Sequence, residues 1–75
     1  MINVYAMHRG RVNLHHNSRT GEIIETWDTT NSGYAYNDFL TAQYLTAGTH
    51  RFYFIPEYNS YSYAKILNIQ VDSWD

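Results

Sequence analysis

A chain of 75 residues is long enough for one domain, and at this size folding buries only about 60% of the surface that the unfolded chain exposes, so modest stability is expected. It contains no cysteine, which excludes a disulfide framework and a thiolate metal centre and leaves oligomerisation, or a place in a larger protein, as routes to extra stability. Five Lys and Arg against seven Asp and Glu give a formal net charge of −2, too little positive charge for the phosphate-neutralising term that dominates nucleic-acid binding.

Apolar runs reach only a few residues, and the start "MINVYAMHRGR" lacks the basic-then-apolar order of a signal peptide. The chain is expected to be soluble, with no membrane partner, and its compartment is left open. The charges are unevenly placed: Arg9, Arg11 and Arg19 precede every acid, while Glu22 onward holds all seven acids against Arg51 and Lys65. Solvated strand faces account for that asymmetry more readily than an acidic partner or the acidic half of another copy does.

In chain order the elements are strands. "INVYAMH" alternates Ile2, Val4 and Ala6 against Asn3, Tyr5 and Met7, and after "RG" the run "RVNLHH" alternates Val12 and Leu14 against Arg11, Asn13 and His15, which reads as a first hairpin. "NSRTG" then turns the chain into "EIIETW", a second hairpin closing through Gly21. From Asp28 to Asp38 the stretch is rich in Asn, Ser, Gly and Asp and reads as a loop of about ten residues, a length that often carries function. "FLTAQYL" predicts a strand with Leu40, Ala42 and Tyr44 on one face, and "TAG" turns it into "THRFYFI". That strand is apolar on both faces, with Phe52 and Phe54 on one and Tyr53 and Ile55 on the other, which points to a central position or one that meets a partner. Pro56 ends it, and "YSYAKILNIQV" supplies a last strand with Leu67, Ile69 and Val71 aligned; the tail frays unless Trp74 docks. About six strands without a helix predict an all-β fold, a small antiparallel β-sandwich or jelly-roll-like barrel, spanning residues 1–75 as one domain.

The span "VNLHHNSRTGEIIETWDTTNS…NDFLTAQYLTAGTHRFYF", with Gly21, Leu45, Ala47, Gly48 and Thr49 as its sharpest matches and "YAKILNIQV" as the closing strand, resembles the bacterial pre-peptidase C-terminal domain over about residues 12–71. The resemblance implies a jelly-roll-like β-sandwich appended to secreted enzymes, often non-catalytic, with calcium or extracellular polymers such as collagen or polysaccharide among its ligands. Calcium-binding members carry acidic residues near the second strand, where this chain has "VNLHH".

The residues that could carry chemistry form no catalytic or metal motif. His15 and His16 are adjacent and point to opposite faces of a strand. A zinc-type site would need His16 and His50 brought together by strand pairing, plus one or two of Glu22, Glu25 and Asp28. All four histidines, His8, His15, His16 and His50, read as ordinary exposed ones in preference to such a site, and no metal is expected. Ser18, Ser32 and Ser60 show no nucleophile elbow with His50, so no enzyme activity is expected. "HRFYFI" has the basic-aromatic look of an RNA-recognition strand but lacks that motif's glycines.

What remains is recognition by rings among small polar residues. Tyr34 and Tyr36 in "SGYAYND", and Tyr58, Asn59, Tyr61 and Tyr63 in "PEYNSYSY", give the composition that paratopes favour, in which a ring offers an apolar face and a hydroxyl at small entropic cost. Two readings follow. In one the chain is a non-catalytic module that binds a carbohydrate or extracellular polymer through these Tyr-rich loops, with no cofactor. In the other it binds a protein, or self-associates as a homo-oligomer, through its aromatic strand. Equally, tyrosines stabilise sheets through cross-strand pairs without binding anything.

Overall fold

The computed structural model describes residues 1–28, 36–57 and 63–72, with residues 63 and 64 described through their backbone. The chain is all-β. Its strands are β1 (Ile2–Arg9), β2 (Arg11–His16), β3 (Glu22–Asp28), β4 (Asn37–Thr41), β5 (Phe52–Pro56) and β6 (Tyr63–Val71). They form two three-stranded antiparallel sheets, β4-β1-β6 and β3-β2-β5. Ile2, Val4, Ala6 and Phe39 from the first sheet meet Val12, Leu14 and Phe54 from the second in one buried cluster, with Ile24, Trp27, Leu45, Phe52 and Ile69 packed around it.

The order of the sheets follows from one feature of the first sixteen residues. Every even position from Ile2 to Leu14 is buried, including His8 and Gly10, so β1 and β2 are a single alternation bent at Gly10, where φ is +92°. A positive φ is a conformation glycine adopts without the Cβ penalty. The bend carries the strand from one sheet to the other, as strands at sandwich corners do. The expected β1–β2 hairpin is thereby replaced: each strand becomes the centre of its own sheet, and later segments pair on either side. The β2–β3 hairpin is present, with Gly21 N–H donating to the Ser18 carbonyl at 3.1 Å.

Three further expectations are corrected. In β4 the buried side chains are Phe39 and Thr41, whereas Leu40 is 55% and Tyr44 94% exposed. The period-2 pattern fits either phase, and Phe39 decides it by joining an aromatic cluster with His8, Trp27 and Phe54 at centroid distances of 4.6, 5.7 and 5.8 Å. Strand β5 is an edge strand, since it pairs with β2 and lies in the other sheet from β4, so "TAG" belongs to a crossover between sheets. In β6 the register against β1 shifts between Tyr5 and Ala6. Ile69 and Val71 stand opposite Val4 and Ile2, but Leu67 falls in the bulge, 64% exposed, and Ile66 takes the place opposite Ala6.

The two long sides of the sandwich are closed differently. Between β3 and β4, Thr41 Oγ1 donates to Glu25 Oε2 at 2.9 Å, while Gln43 Nε2 donates to Thr41 Oγ1 at 2.8 Å and to the Ile24 carbonyl at 2.9 Å. On the β5 and β6 side lies a groove of about 180 Å³, lined by Phe52, Tyr53, Ile55, Pro56, Ile66 and the Arg19 side chain among others.

Candidate binding surface

Odd residues of β1 face away from the core, and the outer face of sheet β4-β1-β6 is built on them. The register sets Leu40, Asn3 and Gln70 in one row and Asp38, Tyr5 and Asn68 in the next. Tyr36, just before β4, lies against Tyr5 with ring centroids 5.4 Å apart and planes 29° from parallel. Beside the rings, Asn3 Nδ2 donates to Asp38 Oδ1 at 3.0 Å, and Asn3 Oδ1 is buried with no hydrogen-bond partner among the described residues. Both rings are half-buried, held by a neighbour on one side. The result is a face that combines stacked rings with amide and carboxylate groups, the mixture that orients a ligand having both an apolar face and hydroxyls.

Of the six residues that the sequence nominates, Tyr36 is the one whose side chain is described, and it belongs to this face. Tyr63 stands opposite Arg9 in the β1–β6 register. Tyr34, Tyr58, Asn59 and Tyr61 lie outside the described residues, as does Trp74. Sequence reasoning missed Tyr5, treating it as the outer residue of a strand. The signal was available in the odd-numbered set Asn3, Tyr5, Met7 and Arg9, which must share a face if Ile2, Val4 and Ala6 are core.

The histidines separate into three environments. His8 is not exposed as expected: it is 1% accessible and packs at centroid distances of 4.6 Å from Phe39 and 5.4 Å from Phe54. Its burial lowers its pKa from the ordinary 6.5, with the negative charge of Asp28 acting weakly in the opposite direction. His15 Nδ1 lies 3.0 Å from the Gly21 carbonyl, which can only accept, so the proton is on Nδ1.

His16 and His50 do come together through the β2–β5 pairing, with His16 Nε2 2.8 Å from His50 Nδ1. His50 Nε2 lies 2.7 Å from the Thr46 carbonyl and must donate to it. Of the carboxylates considered with this pair, Glu22 is beside it in register, while Glu25 and Asp28 lie elsewhere. Glu25 accepts from Thr26 N–H and the Thr41 hydroxyl, Asp28 stands opposite Arg11 at the far end of β2, and Glu22 stands opposite His16 across β3. Among the described residues no three His, Asp or Glu side chains are placed to hold a metal ion together.

Comparison with protein-family models, with curated proteins and with solved structures yields no match for this chain.

Proposed function

We propose that this chain is a non-catalytic binding module whose ligand is a carbohydrate or a similar hydroxyl-rich extracellular polymer, bound across the outer face of sheet β4-β1-β6. The observation that carries this is the Tyr5–Tyr36 stack beside the Asn3–Asp38 pair. A pyranose has a C–H-rich face that packs on a ring, and a rim of hydroxyls that both donate and accept. Asn68 and Gln70 in the register rows of Tyr5 and Asn3 add amides, which can do both as well. The composition of the Tyr-rich segments and the resemblance to pre-peptidase C-terminal domains support the same reading.

The test is titration of the protein with a panel of soluble oligosaccharides, followed by chemical-shift changes. A ligand of this face shifts Asn3, Tyr5 and Tyr36 resonances, and each of Tyr5→Ala and Tyr36→Ala weakens binding by about tenfold, or about 1.4 kcal/mol. Shifts that map to another surface, or variants that bind as well as the parent, would refute the assignment.

The groove on the β5 and β6 side favours a second reading, self-association. Among the described residues both strands lie at sheet edges, and Ile66, Leu67 and Val71 of β6 are exposed, which is the profile of a strand-pairing surface. Light scattering across a hundredfold concentration range tests it: a dimer that Ile66→Lys returns to monomer supports the reading, and a monomer at every concentration removes it.

A further inference from the structure

We infer that the sugar polymer taken by the outer face of sheet β4-β1-β6 carries amino groups, positively charged, and that Asp38 is the residue that selects them; this rests on the glycan reading of that face. Asn3 donates from Nδ2 to Asp38 Oδ1 at 3.0 Å, and Gln70 donates from Nε2 to Asp72 Oδ1 at 3.2 Å. Both amides thus turn a donor toward a carboxylate, and Asn3 Oδ1 is left as a buried acceptor with no hydrogen-bond partner among the described residues. A neutral amide satisfies a carboxylate oxygen without cancelling its charge. This end of the face therefore offers a ligand chiefly acceptors and negative charge, and the ligand that fits it supplies donors and positive charge.

The charge stands open at Asp38 in particular. The Met1 ammonium donates to the Asp72 carbonyl at 3.0 Å and so puts a cation beside Asp72, whereas Asp38 is exposed and ion-pairs with no Lys, Arg or His among the described residues. The cations of the face stand farther along the β1–β6 register, Lys65 opposite Met7 and Arg9 opposite Tyr63.

Asp38 is also placed so that one sugar unit can meet it and a ring together. It is directly opposite Tyr5 in the β1–β4 register, which sets the two Cβ atoms about 4.5–5.5 Å apart. It follows Tyr36 by two residues, and the Tyr36 ring stacks on Tyr5 with centroids 5.4 Å apart. An ammonium group here gains from the negative faces of the rings as well as from the carboxylate. In a hexosamine the ammonium is bonded directly to the pyranose, so a sugar whose C–H face lies on a ring brings its charge to the carboxylate with no flexible chain to order. A lysine side chain carries the same charge on a four-carbon stem, strongly hydrated and free to turn, which favours the sugar over a basic peptide.

The experiment compares glucosamine oligomers, their N-acetylated counterparts and glucose oligomers of the same length as ligands of the full chain, by calorimetry and chemical-shift changes, at low salt and about pH 6, where such amines are largely protonated. An exposed ion pair and an exposed cation–π contact each contribute up to about fivefold in affinity, so the amino oligomer should bind about tenfold more tightly than either neutral one and shift the Asn3, Tyr5, Tyr36 and Asp38 resonances. Most of that preference should vanish in Asp38→Asn and in about 0.5 M salt. The variant keeps an acceptor for Asn3 Nδ2 at an exposed position, so the fold is retained. Amino and neutral oligomers that bind this face equally well, or a preference that survives Asp38→Asn, would overturn the inference and leave the glycan reading standing. An oligolysine that binds the face as tightly as the amino oligomer would overturn the assignment to a sugar. If none of the oligosaccharides moves these resonances, the glycan reading falls and the inference with it.

Discussion

Acidification from pH 7.5 to 5 should destabilise this protein through one residue in particular, His8. Its imidazole is 1% accessible and lies between Phe39 and Phe54, where a charged ring loses its hydration. Burial accordingly lowers its pKa from 6.5, and Asp28 offsets part of that. The fold therefore prefers the neutral ring, while the unfolded chain takes up a proton at about its ordinary value. Stability is complete above pH 6.5 and falls as the pH drops from there to the folded-state pKa, at up to about 1.4 kcal/mol per pH unit. A 75-residue domain has a total of roughly 4–11 kcal/mol at the usual stability per residue, so one pH unit removes a substantial part. In a thermal melt this is a fall in Tm of roughly 5–10 °C per unit. Urea or thermal denaturation between pH 5 and 8 measures the slope, and the difference between the parent and His8→Phe or His8→Gln isolates it from carboxylates and the other histidines. Asp28→Asn should steepen the loss by removing the charge that favours His8 protonation. The reasoning fails if the parent and both His8 variants lose stability with the same slope below pH 6.5.

Two further outcomes test the packing around the sites. Thr41→Val removes the hydroxyl that donates to Glu25 and accepts from Gln43 in the β3–β4 clasp, and should cost about 1.5–3 kcal/mol in urea denaturation, the range for a bond to a charged group. At Gly21 an added Cβ would collide with the His16 backbone oxygen and stand 3.0 Å from Ser18 Oγ. Gly21→Ala should destabilise by about 1–3 kcal/mol, as overpacking does, and should broaden or shift the amide resonances of the β2–β3 turn.

The parts of this fold legible in the sequence are those in which a local pattern leaves one answer. The alternation Ile2, Val4, Ala6, then Val12 and Leu14, defines the core face of both central strands, and the same parity carried through His8 and Gly10 shows them to be one bent strand. Reading "RG" as a hairpin broke that parity argument at the place where glycine allows a corner. Pro56 held a similar clue for β5: proline lacks a ladder donor and is confined to edges, which outweighs the apolar character of both strand faces. The phase of β4 was not legible, because Leu40, Ala42 and Tyr44 alternate as well as Phe39 and Thr41 do. It is settled by contacts from β1, β3 and β5. The β6 bulge was equally hidden, since it depends on the partner strand. Tyr36 was visible from composition, but its partner Tyr5 lies 31 residues earlier and needed the β1–β4 register, as the His16–His50 meeting needed the β2–β5 register across 34 residues.

The unequal sides of the sandwich bear on how the two functional readings relate. Adding a strand at β3 or β4 would approach an edge whose neighbouring polar groups already satisfy one another through Thr41, Glu25 and Gln43. The same addition at β5 or β6 would cover apolar side chains, which removes surface from water at about 25 cal/mol per Å². Association, if it occurs, would thus fall on the β5 and β6 side. Tyr36 and Asp38 lie at the β4 end of the outer face, across β1 from β6, so a second copy seated on the groove leaves the stacked rings uncovered. If both proposals hold, an oligomer joined through β5 would display several copies of the Tyr5–Tyr36 face to one polymer, raising avidity without any new contact at that face, whereas one joined through β6 would lie beside Asn68 and Gln70.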